Sequence, residues 1–160
     1  MSKPIRIQRS RQHKQVSPNG LPIKYVGRGS KYGNFLKLDN GVILIDTLHT
    51  SCGKPNRYGF LHKRWAYLCK GDLNLLLSLY NGILTDNFYF PARIYDEIME
   101  RIEDIEYWTS WCRKLDLTEL KNKNLSCWCK EERCHATILL KIANDPQLCV
   151  CCALGSAVGK

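Results

Sequence analysis

Four soft donor side chains fall within nine residues of this 160-residue chain, in the run Cys127-Trp128-Cys129-Lys130-Glu131-Glu132-Arg133-Cys134-His135. Two chemistries compete for such a run. A closed tetrahedral zinc site would use Cys127, Cys129, Cys134 and His135 as thiolate and imidazole ligands and pin the intervening loop. Adjacent Cys134 and His135 argue against it, because side chains one residue apart on a helix diverge by about 100°. The other chemistry is a reactive thiol. A cysteine at a helix start is favoured as thiolate by the exposed N–H groups, which makes Cys129 and Cys134 the nucleophile candidates and His135 the base or orienting group. A plain packing role for these cysteines is the competing explanation, since free cysteine is among the most buried residue types.

A second run, Gly27-Arg28-Gly29-Ser30-Lys31-Tyr32-Gly33-Asn34, combines three glycines with hydrogen-bonding and cationic side chains. Arg28 offers a fork to phosphate or carboxylate, Lys31 a point charge, and the backbone N–H groups an anion nest. The spacing matches neither a Walker loop nor a dinucleotide fingerprint. Arg28, Ser30, Lys31 and Asn34, joined by Arg6 from the basic strand upstream, are the residues we assign to an anionic ligand; a simple connecting turn is the alternative.

The elements that must position these runs are legible in outline. Ile5 to Arg9 alternates apolar and polar residues as a half-buried strand does, and Ser17-Pro18-Asn19-Gly20 marks a turn. Ile23 to Arg28 reads as a second strand. Phe35 to Leu38 and Val42 to Ile45 flank Asp39-Asn40-Gly41, a β-hairpin signal. Residues 49 to 66 show no period and read as a loop with a short element near Trp65. Asp72 should cap a helix through Tyr80 that Asn81-Gly82 ends. Pro91 should open the longest helix, with Ile94, Ile98, Ile102, Ile105, Trp108, Cys112 and Leu115 as its buried stripe and its acidic residues mostly in solvent. A helical turn at Leu117 to Leu120 precedes a buried strand over Asn124 to Trp128, then a helix from Cys134 to Ala143. On that strand Cys127 and Cys129 face one way and Trp128 the other, where it should pack. The thiols then sit where a strand ends and a helix starts, the end at which open α/β sheets bind ligands.

Charge is distributed unevenly. All nine basic residues up to Lys37 occur without a single Asp or Glu, while the other 123 residues hold 15 of each sign, so the net +9 belongs to the N-terminal segment. That asymmetry points to a nucleotide or nucleic acid as partner, or else to a solvated arm. No apolar run reaches the length of a membrane span, so no membrane partner is expected, and no signal-peptide pattern precedes the body. A cytoplasmic protein with mostly reduced thiols is the expectation for the nine cysteines. Cys52 lies in a Gly/Pro loop, Cys69 and Cys112 read as core, and residues 145–160 read as a flexible, cysteine-containing tail.

Three motifs resemble a family known as domain of unknown function 4326, which occurs in bacteria, phages and large DNA viruses. They are Arg6-Ile7-Gln8-Arg9, Tyr25-Val26-Gly27-Arg28-Gly29-Ser30-Lys31-Tyr32-Gly33-Asn34, and Leu125-Ser126-Cys127-Trp128-Cys129 with Cys134-His135-Ala136. The resemblance spans about residues 4 to 144 and implies that the motifs serve one site, in the host-cell cytoplasm if the chain is viral. It carries no activity. One departure is Phe35, where the family has proline after Gly-Asn.

The expectation is thus one compact α/β domain over residues 4–144, with a small mixed sheet, a β-hairpin and flanking helices. In it the glycine-rich loop and the Cys/His turn meet around an anionic, nucleotide-like ligand, and thiol-dependent chemistry is open to it. The alternative is a non-enzymatic nucleic-acid-binding module with a structural zinc. Both require the chain near position 28 to lie beside the chain near position 130.

Overall fold

The computed structural model describes residues 2–47, 65–87, 90–130 and 133–145. The fold is α/β, with two three-stranded sheets. The chain separates into two compact units, residues 1–34 with 113–160 and residues 35–112.

The first unit carries the Cys/His run. Its sheet consists of β1 (Arg6–Gln8), β2 (Ile23–Tyr25) and β6 (Asn124–Cys127), all parallel, in the order β1-β6-β2. The central strand comes last in sequence and is buried along its whole length. A central parallel strand with covered faces has no polar alternation to show. Its two polar residues therefore need internal partners, and Asn124 has several. Its Oδ1 accepts from the Ile5 N–H at 3.0 Å, while its Nδ2 donates to Asn19 Oδ1 at 2.6 Å and Ser17 Oγ at 3.0 Å. The turn at Ser17 to Gly20, with Gly20 at φ 75°, is thereby tied to the start of the sheet. A 3₁₀ turn at Leu117–Leu120, capped by Asp116 on the Thr118 N–H, packs against α4 (His135–Asn144), which buries Ala136, Leu139 and Ile142.

The second unit contains the antiparallel sheet of β3 (Leu36–Asp39), β4 (Val42–Asp46) and β5 (Trp65–Lys70). Its hairpin turns on Asn40 and Gly41, both at positive φ, as the Asn-Gly signal requires. Phe35 is buried, stacks on Trp108 at 4.8 Å between centroids and tilts against Tyr80 at 5.2 Å. An aromatic residue here begins the buried cluster of this unit. The loop expected over 49 to 66 lies mostly outside the described residues, as do Cys52 and the tail from position 146 onward.

Two helix expectations are corrected. Helix α1 (Leu73–Thr85) starts at Asp72, whose side chain accepts from the Leu75 N–H, but it runs through Asn81-Gly82 and stops at Asp86 in the left-handed region. Ile83 and Leu84 extend the buried stripe of Leu75, Leu76, Leu79 and Tyr80, so packing overrides the Asn-Gly stop signal. The long helix after Pro91 is instead a 3₁₀ turn (Ala92–Ile94), α2 (Tyr95–Met99) and α3 (Ile102–Arg113). The break is a tight turn in which the Arg101 N–H donates to the Ile98 carbonyl at 2.9 Å. Ile94, Ile98, Ile105 and Cys112 are buried on both sides of it, so the apolar period survives an interruption it cannot reveal. Asp104 is buried too, at 3.8 Å from Arg101, an exception among the solvated acids.

Candidate metal and thiol site

Strand β6 ends at Cys127 and α4 begins after Cys134, and the chain between them folds back so that three sulfurs meet. The Sγ atoms of Cys127, Cys129 and Cys134 all lie within 4.8 Å of one another, and Cys127 and Cys134 approach to 3.4 Å. All three are free thiols; Cys127 and Cys134 are buried, whereas Cys129 is half-buried. Cys134 is the N-cap of α4, with extended backbone (φ −151°, ψ 176°), and His135 is the first helical residue. Cys134 therefore stands just outside the helix and His135 just inside it.

His135 is buried, with its two ring nitrogens facing different groups. Nε2 lies 2.8 Å from the Val26 carbonyl and Nδ1 lies 3.8 Å from Cys129 Sγ. A ring nitrogen facing a carbonyl must be the protonated one, which leaves Nδ1 with its lone pair toward the sulfurs. Burial, aided by the charges of Arg28 and Arg6, holds the imidazole below its ordinary pKa and hence neutral.

Arg6 completes the corner. Its Nη2 donates to the Cys129 carbonyl, and its Nε is buried without a hydrogen-bond partner among the described residues. Burial opposes its charge, but the sulfurs of Cys127 and Cys134 more than offset that and hold the guanidinium protonated. The thiols are strongly coupled. Donation from Cys127 and then Cys129, against burial and with help from His135 and the Ala136 N–H, pulls Cys134 far down, while its neighbours Cys127 and Cys134 drive Cys129 far up. One thiolate forms easily and the next is resisted. Two other cysteines behave differently: burial pushes Cys112 up to about 12, and burial with the charge of Glu97 pushes Cys69 up to about 11. Those are inert core thiols.

Of the residues assigned to an anion, Arg6 stands in this corner and the start of the glycine-rich loop reaches it through Val26. Arg28 is exposed, and its charge is felt at His135. Ser30 and Lys31 turn elsewhere. The Ser30 hydroxyl donates to the Gly27 carbonyl at 2.9 Å, and Lys31 Nζ lies 2.7 Å from Glu119 Oε1, with Tyr32 donating to the same carboxylate at 2.9 Å. Asn34 is half-buried at the loop's end. The glycines serve the loop's own folding: a Cβ at Gly27 would run into the Tyr25 ring, and one at Gly33 would meet the Gly27 carbonyl at 3.0 Å.

Trp128 departs from expectation. It is 45% exposed, and the Arg9 guanidinium lies 5.2 Å from its ring centroid and 4.8 Å from that of Tyr25. The strand stops at Cys127, one residue short of the expected end, so Trp128 lies just past it, where alternation along a strand no longer says what covers the ring. Asn124, Glu119 and the Arg9–Trp128 contact all escaped the sequence reading. Only Asn124 carries a signal, as a polar residue heading a strand that reads as buried.

A family model described as domain of unknown function (DUF4326) matches residues 5–145. The chain belongs to the DUF4326 family. The match encloses the three motifs and every residue of the thiol corner. Neither a curated protein nor a solved structure matches the chain. Among the described residues, no helix is long and apolar enough to cross a membrane.

Proposed function

We propose that Cys127, Cys129 and Cys134 bind a zinc ion, with His135 Nδ1, 3.8 Å from Cys129 Sγ, turning in as the fourth donor, and that this metal organises a module for an anionic partner. The observation that carries the reading is the meeting of three thiols within 4.8 Å at one strand-to-helix junction. Zinc–sulfur bonds of about 2.3 Å place tetrahedral ligands about 3.8 Å apart. The 3.4 Å between Cys127 and Cys134 and the outer limit of 4.8 Å among the three sulfurs lie on either side of that separation. Thiolates gathered this closely repel one another, and a cation takes up that charge. A His whose far nitrogen is fixed by a backbone carbonyl is the usual supporting arrangement of a zinc ligand. Arg6 offsets the negative charge that three thiolates leave on a divalent ion.

The test is metal analysis of protein purified without added zinc. One zinc per chain, lost in each of Cys127→Ser, Cys129→Ser and Cys134→Ser, is expected, and cobalt replacement should give the visible bands of a tetrahedral thiolate site. A metal-free, stably folded preparation overturns the proposal.

A second reading keeps the thiols catalytic. The low pKa direction of Cys134, at the start of α4 beside a neutral His135, favours it. Under that reading one thiol alkylates far faster than the others near neutral pH in metal-free protein; uniform reaction counts against it. For a nucleotide-like ligand the support is Arg6 beside the sulfurs and Arg28 acting on His135. Ser30 and Lys31 add none, being engaged within the fold.

A further inference from the structure

Trp128 stands between two of the thiols and is not used by them. Its neighbours in β6 are wholly buried, whereas its ring is nearly half exposed at the end of the strand. Three side chains from three strands or their exits line up there. Arg9 is set in register by its N–H donating to the Cys127 carbonyl at 2.8 Å, and Tyr25 lies beside Ser126 in the ladder on the other side of β6. The guanidinium lies over both rings. Tyr25 is itself fixed, its hydroxyl donating to the Arg28 carbonyl at 2.9 Å and its ring filling the space above Gly27.

We propose that Trp128, Arg9 and Tyr25 form a platform that stacks unpaired bases of a single-stranded nucleic acid, whose phosphates run along the basic N-terminal segment. Aromatic rings held by an arginine plane give every base a π-face to lie on, without demanding a sequence. The occupant is chosen by charge. Arg11 and Lys14, both exposed, follow Arg9 as the chain leaves the same end of the parallel sheet, and no acidic residue occurs before Asp39. A duplex keeps its bases stacked on one another and offers only phosphates to such a surface, so it is the poorer ligand. This inference goes beyond the zinc reading, from which it takes only the fixing of Trp128 between two ligands.

The experiment measures fluorescence anisotropy of labelled oligo-dT and oligo-rU of about 12 nucleotides, within the span one such groove covers. Binding that weakens as salt rises is expected. Trp128→Ala should lose about tenfold in affinity, the range for removing one stacking ring, while Trp128→Phe keeps most of it. A duplex of matched length should compete poorly. Cross-linking of wild-type protein to 4-thiouridine-containing RNA needs no variant and should map to the peptide holding Trp128 or Tyr25. Absence of binding, equal competition by duplex or by polyglutamate, unchanged affinity in Trp128→Ala, or cross-links confined to other peptides would each overturn the platform. Zinc content measured on the same samples separates the two proposals. Zinc present with no effect of Trp128→Ala sinks only the platform, and base-dependent binding by metal-free protein sinks only the zinc.

Discussion

Cysteine 129 differs from its two sulfur neighbours in being half-buried, so of the three thiols it is the one that solvent reaches most readily. Asn124 has no chemistry of its own, yet it joins the start of β1 to the Ser17–Gly20 turn and to the head of β6. Asn124→Ala leaves a buried N–H and two turn residues without their partner, and each buried polar group stranded in this way costs about 1–3 kcal/mol. A fall in melting temperature, with zinc content unchanged at saturating metal, is the expected outcome of calorimetry. Gly27→Ala should behave differently. The added Cβ displaces the Tyr25 ring, so the Arg9 stack loosens along with the loop. A change in tryptophan fluorescence is the expected outcome in Gly27→Ala.

At the scale of elements, each helix start rests on a different device. Asp72 caps α1 through the Leu75 N–H at 2.9 Å, and no other acidic residue supports its first turn. Asp72→Ala should therefore lower stability by about 1 kcal/mol, read as a lower denaturant midpoint with unchanged slope. Helix α4 has no such carboxylate or hydroxyl, because Cys134 takes the position a Ser or Asp would occupy. The helix start and the proposed metal site would thus be one feature, and under the zinc proposal demetallation should fray the first turn of α4 before anything else. Hydrophobic period located α1, α3 and α4 in the sequence, and the Asn-Gly dipeptide located the β3–β4 hairpin. The same period missed the break at Arg101, since an apolar stripe records which residues face inward and not whether the backbone between them stays helical.

For the whole molecule, the thiol corner belongs to one of the two compact units. Chelation should accordingly lower amide-exchange protection in β1, β2, β6 and α4 while leaving β3 and β4 protected. Loss of protection in the hairpin to the same extent would contradict that division. The first unit also carries an acid-sensitive contact. Lys31 and then the Tyr32 hydroxyl hold Glu119 below its ordinary 4.5, so the contact contributes fully above that value and is lost as pH falls through the lower, folded one. Glu119→Gln should lower the melting temperature at neutral pH and converge with the wild type in acid, so that the acid limb of the profile flattens.

Sequence alone determined the α/β class, the hairpin, the thiol-bearing strand-to-helix junction and the acid-free N-terminal segment, because each is written in near neighbours: a dipeptide, a period, a run of donors, a charge count. Tertiary structure decided what the distant parts do to one another. It gave His135 Nε2 to Val26 across 109 positions, spent Lys31 on Glu119 instead of a ligand, and left Trp128 in the open beneath Arg9. Local pattern fixes which face a side chain takes; which partner meets that face depends on strand order, and here the last strand in sequence is the central one in space.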